Sequence, residues 1–197
     1  MTTTDGYLVL IPSYLALLPA LPVGLWLLRR DWTDARIFFA LVALGHVTAV
    51  LALTIFPIPI GGQDYYRLTR GLSEDNLVPF ATIAVQLQHL GPNTIRQLLG
   101  NVLALMPLGV YAPELWPSLR DPRRFMLLAV GFGVAIELAQ LAGSLVEGFT
   151  YRVTDVDDAI MNATGAILAF AAWRWLEGRG LRTRVLAFLD GGHGDHP

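Results

Sequence analysis

Apolar stretches about as long as a bilayer is thick recur along this chain, and that pattern constrains it more than any motif. A helix needs roughly 20 apolar residues to cross a hydrocarbon core of about 30 Å. With no water there to satisfy backbone N–H and C=O groups, each such stretch is read as a helix. The first runs from Tyr7 to Leu28 and stops at Arg29, Arg30 and Asp31. The second, Ile37 to Ile60, is broken by Pro57, Pro59 and the Gly61-Gly62 pair. A third spans Gln97 to Leu115 around Pro107, a fourth Phe125 to Val146, and a fifth leads from Asp155 to Leu176. Composition agrees: 54% of the chain is hydrophobic and 15% charged, against about 25% charged in ordinary soluble domains.

The expected fold is therefore all-α, a polytopic membrane bundle of about five transmembrane helices. A short interfacial helix is added over Ala81 to Leu90. There Thr82, Gln86 and His89 share one helical face and Ile83, Leu87 and Leu90 the other. Residues 1–71 make two spans and the start of an outer loop, 72–176 a core of three spans, and 177–197 an amphipathic tail ending in a disordered GGHGDHP. Arginines in that tail, beside Val185 and Phe188, suit contact with anionic lipid. Met1 to Gly6 lacks the basic stretch of a signal peptide, so the first run is read as a retained span.

With 0 cysteines the chain has no disulfide, thiolate metal site or cysteine nucleophile. A net charge of −2 gives no case for nucleic acid. All basic residues are arginines, and they divide unequally between the two sides. Arg29, Arg30, Arg36, Arg120, Arg123, Arg124, Arg174, Arg179, Arg182 and Arg184 fall on one, while Arg67, Arg70, Arg96 and Arg152 fall on the other. The richer side is expected to be cytoplasmic, with the N-terminus outside and the C-terminus inside.

Polar residues within the spans are informative because they are expensive. A charged side chain at a helix centre costs roughly 2.5–3.5 kcal/mol on insertion scales. Gly133, Glu137, Gln140 and Ser144 lie on one face of the fourth span, and Asp155, Asp158, Asn162 and Gly165 on one face of the fifth. Gln97 and Asn101 lie one turn apart on the third. In the expected topology these stripes meet in the outer half, beneath Tyr151 and Arg152, with Gly133 and Gly165 allowing close approach.

A structural reading stands beside the functional one. Asp155 is placed to cap the fifth helix, with Asp157 and Asp158 favoured at its first turn. Arg152 is placed to neutralise them, and Gln140 and Asn162 can tie helices together. His46, within the second span, reads as a packed or hydrogen-bonded histidine. Ser144 lacks a histidine partner for a hydrolase triad. Glu137, Asp155, Asp157 and Asp158 offer oxygens to a hard cation, without a diagnostic spacing. Pro107 leaves a carbonyl near Leu103 without its donor and kinks the third helix.

Four motifs on these helices, in order and in spacing, resemble the VanZ family. They are NLVPF at Asn76, NVLALMPLG from Asn101, IELAQ with Glu137 and Gln140, and RVTDVDDAIMNATG from Arg152. The similarity covers roughly Leu72 to Leu176. It implies a small polytopic bacterial membrane protein of a family whose founding member is associated with teicoplanin resistance. The family's polar signature falls on Asn101, Pro107, Gly109, Glu137, Gln140, Arg152, Asp155, Asp158, Asn162 and Gly165. One departure is methionine and leucine, in place of an aromatic, between Asn101 and Pro107.

The leading functional expectation is an accessory membrane protein acting at the outer leaflet on a polar lipid or lipid-linked cell-wall group. Arg152 would bind a phosphate or carboxylate, Asn101, Gln140 and Asn162 would orient the ligand, Glu137 with Asp158 would tune charge or take a proton, and Asp155 counts with them among the ligand-binding residues. No resident cofactor is expected. In an alternative, Asp155, Asp157 and Asp158 hold Mg²⁺ and Glu137 is the base of an enzyme acting on a polyprenyl phosphate. A third reading is a non-catalytic scaffold in which the polar stripes are helix glue.

Overall fold

The structure, a computed structural model, describes residues 9–60 and 75–190. Its elements are a strand β1 (Val9–Ile11), a 3-10 turn (Ser13–Leu17), and helices α1 (Ala20–Leu28) and α2 (Asp34–Thr54), then a strand β2 (Ile58–Ile60). Six more helices follow: α3 (Ala81–Gln88), α4 (Pro92–Ala104), α5 (Met106–Leu115), α6 (Pro122–Glu147), α7 (Val156–Gly178) and α8 (Leu181–Leu189). The protein is all-α apart from the antiparallel pairing of β1 with β2. Among the described residues three segments are long and apolar enough to cross a membrane: α2, the α4–α5 run Pro92–Leu115, and α6.

Three expected spans differ from this outcome. The fifth forms the helix α7, which is not among the segments long and apolar enough to cross. The first is not one helix. Its Tyr7 and Leu8 lie outside the described residues, and the remainder breaks into β1, the 3-10 turn and α1. Pro12 and Pro19 stand at those breaks, where a ring without an N–H cannot continue a helical ladder. At 9 residues α1 rises about 14 Å, well short of a crossing. The second span ends at Thr54 and not near Ile60. Pro57 and Pro59 prevent its extension, and Ile58–Ile60 pairs with Val9–Ile11 instead.

α7 is the hub, packing against α4, α5, α6 and α8. Small residues make this possible. A Cβ at Gly165 would collide with the Val102 backbone of α4, and one at Gly109 of α5 would lie 2.5 Å from the Ala166 oxygen. A Cβ at Gly133 of α6 would lie 2.8 Å from the Ala159 oxygen, so the expected seam of small residues is present. Phe125 of α6 stacks on Phe170 of α7 at 4.2 Å, and Leu105, Leu108, Tyr111 and Ala112 complete the core.

Pro107 interrupts the third span. α4 ends at Ala104, Leu105 leaves helical geometry, and the Leu108 N–H bonds to Leu105 O at 3.1 Å. The Ala104 carbonyl is freed and meets His46 Nε2 at 2.6 Å, while His46 Nδ1 lies 3.0 Å from the Tyr111 hydroxyl. Both contacts are satisfied when Nε2 donates and the tyrosine O–H donates to Nδ1. His46 is thus a hydrogen-bonded clamp between α2 and the α4–α5 break.

The arginine-rich segments gather at one end. Glu114, at the foot of α5, accepts from Nε and one terminal nitrogen of Arg182, each at 2.7 Å, and from the Trp173 indole N–H at 2.8 Å. Those bonds raise the Arg182 pKa above its ordinary value. Asp190 Oδ1 accepts the Ala35 N–H at 2.8 Å, covering a donor at the start of α2. The tail through residue 190 is therefore a helix docked on the bundle, with Leu186 and Leu189 against the core. Residues 191–197, expected to be disordered, lie outside the described residues.

His46→Ala removes the partner of a buried carbonyl and should cost about 1–3 kcal/mol. Gly165→Val, which drives a side chain into the Val102 backbone, should cost more. Thermal unfolding in detergent, followed by far-UV circular dichroism, checks the order; equal melting of both variants with wild type would contradict this packing.

Candidate functional site

The site is built on the sequence around Asp155, where three carboxylates enter the first turn of α7. Successive residues on a helix point about 100° apart, so neighbouring aspartates must find different partners. Asp155 is the N-cap, its Oδ1 accepting the Asp157 N–H at 2.9 Å and the Asn76 Nδ2–H at 2.8 Å. Asp157, with no exposed surface, accepts the Phe80 N–H and, at 3.0 Å, the Ile83 N–H. Those N–H groups open α3, which has no side-chain cap of its own. Asp158 accepts a hydrogen bond from Asn101 Nδ2 of α4.

Glu137 approaches from α6. It is 6% exposed and its Oε2 accepts the Asp155 N–H at 2.9 Å. Asn76 closes the other side. Its N–H bonds to Thr154 O and its carbonyl accepts from Val156 N, both at 2.9 Å. Its amide also donates to Thr82 at 3.0 Å, and Asp75 accepts the Thr154 N–H at 2.8 Å. The chain leading into α3 is thereby stitched to the chain leading into α7. α3 keeps Thr82, Gln86 and also Ile83 half-buried and leaves Val85 and Leu87 exposed, while His89 and Leu90, expected on opposite faces, lie past its end and are both exposed. A helix lying at a lipid boundary is expected to face this way.

Asn101, Glu137, Asp155 and Asp158 are brought together as the stripes require. Asn162 lies one turn beyond Asp158 and is 3% exposed, and its Oδ1 has no hydrogen-bond partner among the described residues. The same holds for Thr154 Oγ1 and Gln86 Oε1. Buried polar atoms are seldom left so, since each costs about 1–3 kcal/mol.

Gln140 and Arg152 go elsewhere. Gln140 Nε2 donates to Thr54 O at 3.0 Å, and one terminal nitrogen of Arg152 donates to Phe56 O at 2.6 Å and Leu53 O at 3.2 Å. Tyr151 adds a longer bond to Ile55 O at 3.4 Å. These are the carbonyls that the end of α2 leaves without helical donors, and a cation is favoured there by the helix dipole. Ser144 holds the arrangement from α6 by donating to Arg152 O at 3.1 Å. The expected closeness of Arg152 to the stripes is met, but its guanidinium is turned to the α2 terminus.

Among the described residues no three Asp, Glu or His side chains converge to hold a metal ion. Asp157, needed by the cation reading, has both oxygens on backbone N–H groups of α3. Asp157 and Asn76 are the tying residues that spacing did not single out. NLVPF was visible as a motif, yet an asparagine in a loop has no periodicity to reveal its partner 79 residues away.

A family model described as VanZ/LLP1 matches residues 39–177. The chain belongs to the VanZ/LLP1 family. The match begins within α2, earlier than the region from Leu72 over which the resemblance was legible. It thus takes in the α2 terminus that Gln140 and Arg152 cap as well as the entrance of α7. No curated protein matches the chain, and no solved structure does.

Asp157→Ala should free the start of α3 while leaving the transmembrane packing intact. Hydrogen exchange should then lose protection at residues 80–83 and change little in α6. Unchanged protection at Phe80 and Ile83 would show that Asp157 does not hold this helix.

Proposed function

We propose that this VanZ/LLP1 protein engages a polar lipid or lipid-linked cell-wall group at the outer leaflet, through the entrance of α7, and so lowers susceptibility to teicoplanin-like lipoglycopeptides. The observation that carries the reading is the buried Asn162 Oδ1, without a partner among the described residues and one turn from Asp158, which Asn101 holds. Buried ionisable and polar groups of this kind inside a membrane bundle mark a binding or transport site by default.

The chemistry of the site favours a particular class of group. Glu137, Asp158, Asn162 Oδ1 and Thr154 Oγ1 are oxygens, so a hydroxyl- or amine-bearing headgroup suits them better than a phosphate. Arg152 supports the reading indirectly, as the group that fixes the α6–α7 connection against α2. Glu137 and Asp158 are charge-setting residues, and Asn101 holds Asp158 in place. The outer-leaflet placement follows from the arginine asymmetry.

The scaffold reading has one observation in its favour. Asn101 and Gln140, two of the expected ligand amides, are spent on helix-to-helix hydrogen bonds. The two readings part at Glu137 and Asp158, where a scaffold tolerates neutral isosteres.

Teicoplanin and vancomycin susceptibility in a sensitive Gram-positive host separates them. Wild type, Glu137→Gln and Asp158→Asn are expressed at matched membrane levels. Selective teicoplanin protection that both substitutions abolish is the expected outcome. Protection that survives both substitutions favours the scaffold, and no protection from well-inserted wild type overturns the resistance reading.

A further inference from the structure

A cavity opens at the arginine-rich end, away from the entrance of α7. It has a volume of about 800 Å³, within the roughly 300–1,000 Å³ of small-molecule sites. It lies among α1, α2, α5 and α6, with Val23 and Leu27 of α1 in its lining. The floor is Leu108, Tyr111 and Leu115 of α5, all buried at 6% exposure or less. Ala43, Leu44 and Val47 form one wall and Leu128 and Phe132 the other.

The rim has a different character. Trp26, Trp32, Trp116 and Arg36 line it. The Arg36 guanidinium lies 4.5 Å from the Trp32 ring, and Arg30 lies 4.3 Å from Trp26 and 5.7 Å from Trp32. Stacking on indole holds two exposed cations at the mouth without neutralising them. Tryptophan and arginine at one level are the side chains that prefer the headgroup region of a bilayer. An apolar slot reaching between helices, closed by a cationic rim at headgroup depth, has the polarity profile of one acidic lipid molecule.

We propose that this cavity holds one hydrocarbon chain of an anionic glycerophospholipid, with the headgroup phosphate bound by Arg36 and Arg30. The guanidinium fork suits phosphate oxygens. The chain fills the slot and braces α2 against α6. The occupant comes from the bilayer and not from a second copy, because the slot runs inward to buried residues and not along an exposed helix face.

The test is native mass spectrometry of the full chain released from detergent, with phosphatidylglycerol or phosphatidylcholine of identical acyl chains added. One phosphatidylglycerol should stay bound under activation that strips other lipid, in about tenfold preference to phosphatidylcholine. Arg36→Gln, at an exposed position, should abolish the preference and leave folding unchanged. Ala43→Phe, which fills the slot, should lower retention of both lipids. Should Ala43→Phe fail to fold, Arg36→Gln decides alone. Equal retention of the two lipids by wild type, or a preference untouched by Arg36→Gln, overturns the proposal. So does a dimer that lipid does not dissociate, which would assign the slot to a second copy. Glu137→Gln, at the other site, should retain phosphatidylglycerol like wild type, so this result and the susceptibility assay fail independently.

Discussion

The carboxylates at the start of α7 must find hydrogen-bond donors where water is scarce, and most of the structure is arranged to supply them. An unpaired buried carboxylate is far costlier than a buried neutral group. The donors come from separate parts of the chain: Asp157 N–H and Asn76 for Asp155, the start of α3 for Asp157, and Asn101 of α4 for Asp158. Glu137 in turn takes the Asp155 N–H. Satisfying one turn of one helix thus fixes α3, α4 and α6 around it. The small residues along α7 then let these helices come close enough for the bonds to form.

The same accounting explains the other polar residues. At the ends of α2 and at the break between α4 and α5, a side chain from elsewhere in the chain takes the orphaned backbone group. His46 does so at the Pro107 break, Gln140 and Arg152 at the end of α2, and Asp190 at its beginning. In water such groups would be solvated at little cost, and the side chains would be free for other uses. In an apolar setting they are committed. The atoms left over, above all Asn162 Oδ1, stand out for that reason.

Function-bearing features separate toward the two ends of the bundle. The entrance of α7 is rich in acceptor oxygens and stitched to a helix whose apolar side faces outward. The opposite end is cationic and aromatic, with Glu114 locking α8 in place beside an apolar slot.

Hydropathy alone determined that this is a helical membrane protein, and helical spacing determined that Glu137, Asp155, Asp158 and Asn101 would share a seam. Both follow from local rules: helix length against bilayer thickness, and side-chain direction against residue number. Motif order was enough to point to the family. The tertiary structure decided what spacing cannot express. Prolines at 12 and 19 shortened the first span, although its hydropathy suited a crossing, because hydropathy does not register a missing N–H. Arg152 lies three residues from Asp155, yet its guanidinium is drawn to the end of α2, a helix remote in sequence whose carbonyls needed a donor. Asp157 became the cap of α3, and Asn76 the clasp between two loops, through partners more than 70 residues away. Which donor meets which acceptor depends on where separate helices come to rest, and only packing sets that.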